Sequence, residues 1–163
     1  MRTAEKTDTE LAARLAALAS LGASVIHFAV APVHWTEWVP SGLVLSAVAL
    51  FQLVWAWAIL TRPTTSLIAV GVVGNVATIA LWAVTRTVGS PVGPHAGGPE
   101  LVQAGDLCAV LLEIYVVLAA SWMGYRGRVS QPIPAVANAV ILFGFGTVIA
   151  SAATAGAASG LAD

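Results

Sequence analysis

The ionisable and amide side chains of this sequence recur at helical spacing. His27 and His34 are seven residues apart, and Glu37 follows three after His34. Asp106 and Glu113 are also seven apart. At about 100° per residue, each seven-residue pair returns to nearly the same face of a helix. Asn75, Trp82 and Arg86 make a third series, with Trp82 and Arg86 each within about 20° of the direction of Asn75. Gln52 sits in the middle of another apolar stretch, and His95 in a Gly/Pro-rich one.

Imidazole plus carboxylate is a ligand set for zinc, iron or copper(II). His34 and Glu37 can address one ion from a single helical turn, and the acids of a facing helix can complete the shell. The expected transition-metal ligands are therefore His27, His34, Glu37, Asp106 and Glu113. Arg86, Asn75, Gln52 and His95 are expected to line the pocket or balance its charge. Residues seven apart lie about 10.5 Å apart along an ideal helix axis. One ion shared by His27 and His34 thus needs a bend, for which Pro32 is a candidate, and two layered sites fit the spacing equally well.

The same residues permit other chemistry. Arg86 could pair with Asp106 or Glu113 while His27 donates to a carboxylate, giving a closed structural network. His27, Asp106 and Glu113 could instead exchange protons, since histidine titrates near neutral pH. A haem clamped by two histidines needs ligands on opposite sides of the ring, which His27 and His34 on one helix cannot supply; His27 with His95 remains conceivable, and haem or quinone binding stays an alternative. No Walker loop, Rossmann glycine pattern, nucleophile elbow or zinc-protease helix motif occurs. Gly89 to Gly98 has the glycines of a phosphate loop but no Lys-Ser/Thr. No nucleophile–base pair stands out, so the reading leans away from an enzyme.

The elements that must carry these residues follow from composition. Of 163 residues, 9% are charged and 58% hydrophobic, against about 25% charged in an average soluble domain. Mean hydropathy is +0.88. Seven Lys/Arg and eight Asp/Glu cannot cover the surface of a soluble protein this size. A soluble enzyme, a nucleic-acid binder and a disordered chain are excluded; a net charge of −1 offers no basic footprint for nucleic acid. The single cysteine, Cys108, excludes an internal disulfide and a cysteine-based zinc or iron–sulfur site.

A spanning helix needs about 20 mostly apolar residues. Five segments qualify, at about residues 15–33, 41–60, 66–85, 101–122 and 133–155, the first with a helix beginning near Thr9. The connections are short and rich in Pro and Gly, so 1–163 reads as one all-α transmembrane domain. The first span is expected to stay uncleaved, because acids dilute its charged start and no convincing small-x-small cleavage site in a polar setting precedes His34. Arg2, Lys6, Arg14, Arg62, Arg126 and Arg128 fall on one side of this scheme and Arg86 alone on the other. The N-terminus is therefore expected in the cytoplasm and the C-terminus outside. Trp35, Trp38, Trp122 and Tyr125 fall at the expected headgroup levels.

The polar residues concentrate toward the outer half, which predicts a pocket opening to the extracytoplasmic face and reaching Gln52, Asn75 and Glu113. The inner half offers only Ser20, Ser66, Thr78 and Asn138. Small residues are expected to mediate helix contacts: Gly71 and Gly74 in the third span, and Gly144, Gly146, Ala150, Ser151, Ala152, Ala153 and Gly156 in the fifth. Cys108 points away from the polar stripe and is expected to be an apolar filler.

The stretch from His27 to Trp57 (HFAVAPVHWTEW, then FQLVWAW), with Asn75 and the segment Arg86 to Pro94 (RTVGSPVGP), resembles small multi-pass membrane proteins of actinobacteria. The resemblance implies a multi-pass protein of a bacterial inner (plasma) membrane and brings no catalytic residue or cofactor. The functional expectation is a sensor, carrier or accessory subunit that binds a transition metal ion. Alternatives are a non-catalytic structural subunit of a membrane complex and a small transporter or proton relay. Expected partners are the lipid bilayer and a membrane-protein partner or second copy.

Overall fold

The computed structural model describes residues 7–94, 96–126 and 131–160. It is all-α: α1 (Asp8–Glu37), α2 (Val39–Thr61), α3 (Thr65–Thr87), α4 (Ala104–Arg126) and α5 (Ala135–Gly160). All five are long and apolar enough to cross a membrane. Large apolar side chains such as Leu50, Trp57, Val73, Leu111, Phe143 and Val148 face outward, a surface suited to lipid rather than water.

Local signals explain the ends. Thr7 caps α1 by accepting from the Glu10 amide, and Thr64 caps α3 by accepting from that of Leu67. Trp38 alone joins α1 to α2, ending one helix and preceding the other. Pro40 lies in the first turn of α2, where its missing N–H removes no helical bond. α1 continues through Pro32 to Glu37, so the proline does not break it. At the end of α3, Gly89 adopts φ +85° and donates to the Val84 carbonyl.

α1 is the hub, packing on α2, α4 and α5; α3 rests mainly on α4 and touches α2. Its buried face is made of Ala16, Ala19, Ala23 and other small residues, which allow close approach where no hydrophobic force separates lipid from protein. Ser20 and Ser24 donate to the backbone carbonyls of Gln52 and Ala49, each at 2.8 Å. We expect Ser20→Ala and Ser24→Ala each to lower stability by about 0.6 kcal/mol, with an additive loss in the double variant, measured by unfolding in mixed detergent.

The small residues divide by position. Gly71 and Gly74 lie against Trp55 and Phe51, and Gly156 beside Ile26 and Cys108. Gly144 and Gly146 differ from expectation: nothing lies within 4 Å of a side chain placed there. A side chain at either position would therefore meet no other helix among the described residues. At the opposite end from Arg86, Asp8 accepts from Arg126 (3.2 Å) and from the Gln131 amide (3.0 Å), and donates its own amide to the Gln131 carbonyl. This tie fixes the starts of α1 and α5 to the end of α4.

Candidate functional site

The polar residues of α1, α2 and α4 meet in the core. His27 is 7% exposed, Gln52 0% and Glu113 1%. Gln52 bridges the other two. Its Oε1 lies 3.0 Å from His27 Nδ1, and its Nε2 donates to Glu113 Oε1 at 2.8 Å. His27 Nδ1 also lies 2.9 Å from the Ala23 carbonyl. The serines on α1 hold this register, because Ser20 bonds to the backbone of Gln52 itself.

This geometry assigns the histidine tautomer. Two carbonyl oxygens face Nδ1, so Nδ1 carries a hydrogen. Nε2 then faces Glu113 Oε1, at 3.8 Å. With neither atom protonated, two lone pairs would oppose each other in a buried site. One proton between them yields either imidazolium with carboxylate or imidazole with carboxylic acid, and both are electrically neutral. A neutral pair is the form a buried site tolerates.

A second cluster lies near the connection from α3 to α4. Arg86 donates to Asp106 Oδ2 through Nε (3.1 Å) and Nη2 (2.6 Å), and through Nη1 to Thr85 Oγ1 (3.0 Å) and to Glu100 Oε2. The Gln103 amide also donates to Asp106 Oδ2, at 3.2 Å. Arg86 therefore pairs with Asp106, one of the two partners its position permits, and not with Glu113. Glu100, its second acid, was not among the expected site residues; its place just before α4 in the same connection is the signal that could have found it.

The remaining candidates are dispersed. His34 is half-buried, with Nδ1 on the Val30 carbonyl of its own helix at 3.1 Å. Glu37 is exposed in the last turn of α1. Asn75 is fully buried; its Nδ2 donates to the Gly71 carbonyl at 2.8 Å. His95 lies outside the described residues. From the expected metal set, the structure thus brings together His27 and Glu113, while Asp106 is engaged by a guanidinium. Among the described residues, no group of three or more His, Cys, Asp and Glu side chains is placed to hold a metal ion. The physical reason is helical: His34 lies two turns beyond His27, and neither Pro32 nor any other feature folds it back.

Beyond Gln52 toward the Arg126 end the buried residues are mostly apolar, with Ser20 and, near the start of α5, Asn138 as buried polar ones. Ile59, Ala16, Ala120 and Met123 are among the apolar ones, and Ser20 spends its hydroxyl on the Gln52 carbonyl. No protein-family model, curated protein or solved structure matches the chain.

Proposed function

We propose that this is a multi-pass membrane protein of a bacterial inner membrane whose His27–Gln52–Glu113 triad is a proton-binding centre, reached from the extracytoplasmic side. It acts as a proton-responsive sensor or accessory subunit of a membrane complex rather than an enzyme. The observation that carries this reading is the approach of His27 Nε2 to Glu113 Oε1, buried and bridged by Gln52, in a geometry that calls for one shared proton. The orientation rests on the lysines and arginines: Arg14, Arg62 and Arg126 belong to the end opposite Arg86, as do Arg2, Lys6 and Arg128 in sequence. Beyond Gln52 the buried residues are mostly apolar, and Ser20 is spent on the Gln52 carbonyl, which supports one-sided access and suits a sensor better than a through-going channel.

The charged and titratable surroundings are few. From α4, Asp106 is paired with Arg86 of α3. α2 contributes Gln52, α1 contributes His34 one face-repeat away, and α5 carries no charged residue. Removing the shared proton leaves a carboxylate facing an imidazole lone pair. While the native pair keeps its proton and the unfolded chain has released its own, the native state holds one proton more, so stability falls with rising pH by about 1.4 kcal/mol per pH unit until the pair deprotonates. Unfolding of the purified protein in mixed detergent across pH tests this. The wild type is expected to weaken on the alkaline side, and Glu113→Gln, which keeps an acceptor for Gln52, to show no such slope. Equal slopes in both proteins would overturn the reading. So would a zinc, copper(II) or iron ion that raises the melting temperature of the wild type but not of His27→Gln; that result would restore a metal site.

A further inference from the structure

Two buried polar atoms of α3 have no hydrogen-bond partner among the described residues: Asn75 Oδ1 and Trp82 Nε1. An orphaned polar group inside a membrane bundle is costly, so each needs a partner that is not protein. Asn75 is 0% exposed. Its Nδ2 is engaged by the Gly71 carbonyl, and exchanging the amide atoms would set two oxygens against each other, so the leftover atom is an acceptor. Trp82 Nε1 can only donate.

Both atoms belong to the stripe that ends in Arg86, and Arg86 reaches Asp106. The stripe therefore faces α4, whose own polar stripe is Asp106 and Glu113. Trp82 is four residues, about 6 Å of axial rise, deeper than Arg86. Glu113 is about 10.5 Å deeper than Asp106. The indole N–H thus falls at a level between the two acids, and Asn75 lies deeper still. On Glu113, Gln52 engages Oε1, and Oε2 takes no hydrogen bond from any described residue. A donor and two acceptors, without partners among the described residues, thus belong to the polar stripes of two helices that pack on each other, α3 and α4.

We infer that the seam between α3 and α4 is hydrated, and that water bound at Trp82 Nε1 forms the proton path between Glu113 and the Arg86–Asp106–Glu100 cluster. The inference rests on the proton-binding reading of the triad and assigns its access route. Protons pass from water to water and on to Glu113 Oε2. Trp82 anchors the chain by donating and gives up no proton, so it is a positioning residue. Asn75 Oδ1 accepts from the deepest water and ends the row.

Two measurements on the full chain test it. In protein with ¹⁵N-labelled tryptophan, the Trp82 indole resonance is identified by its loss in Trp82→Phe. It is expected to show magnetisation transfer from water; an indole without such contact would overturn the inference. Rapid-scan infrared spectroscopy after a pH jump then follows the signals that Glu113→Gln abolishes. Trp82→Phe keeps an aromatic face but loses the N–H, and is expected to slow those signals about tenfold, equivalent to about 1.4 kcal/mol on the barrier. Unchanged kinetics would refute the path while leaving the triad reading intact. Absence of any Glu113-dependent signal in the wild type would instead refute the triad reading.

Discussion

Arg86→Leu is expected to destabilise the bundle by about 2–3 kcal/mol, the range for losing hydrogen bonds to charged groups and leaving their partners unpaired. The side chain is 13% exposed and makes bonds to two acids at once. Removing it leaves Asp106 and Glu100 close together with no cation between them, so like-charge repulsion adds to lost bonding. Asp106 is 23% and Glu100 37% exposed, and water relieves part of the cost, hence a value below that of a fully buried pair. Arg86→Lys keeps the charge but not the planar fork that serves Asp106 through Nε and Nη2, and is expected to recover only part of the loss. The double variant Arg86→Leu with Asp106→Leu is expected to be more stable than Arg86→Leu alone. Unfolding in mixed detergent at fixed pH reads all three; a single Arg86→Leu within error of wild type would show the cluster to be solvated.

Gly71→Ala is the second large effect, expected at about 3 kcal/mol. A methyl at this position would meet Cε2, Cζ2 and Nε1 of Trp55, atoms of a rigid ring that is itself 2% exposed. The indole must move, which costs about 1–3 kcal/mol as overpacking. Its N–H donates to the Leu67 carbonyl at 2.8 Å, and displacement would leave that buried donor unpaired at about 1–3 kcal/mol more. Gly144→Ala is the control. Open space surrounds it, and alanine favours helix over glycine by about 0.8–1.0 kcal/mol, so a small gain is expected. Similar losses at both positions would mean that helix packing does not distinguish the glycines.

The five helices were legible because each is a long apolar run ended by proline, glycine or a capping threonine. The third runs Thr65–Thr87, against 66–85 read from sequence. The fourth begins at Ala104, not near Leu101; Leu101 and Val102 are apolar but lie in the connection, fully in keeping with their exposure. Stripe directions were also legible: Asp106 and Glu113 do share a face toward Arg86 and the core. What spacing along one helix cannot give is axial register between helices. That register, fixed by Ser20, Ser24 and the one-residue link at Trp38, puts Gln52 rather than His34 beside His27. It also sends Arg86 to Asp106 and Glu100 instead of Glu113. The orphaned atoms of Asn75 and Trp82 were invisible for the same reason, since a missing partner is a property of the packing.

The Trp38 junction has a mechanical corollary. With a single residue between them and two serine bonds along their length, the first two helices form a stiff lever. A piston shift of that lever would carry His27 and Gln52 together and leave their mutual bond unchanged. Only the spacing to Glu113, mounted on a different rod, would register the stroke, so displacement of the hairpin and occupancy of the proton become two readings of one gauge.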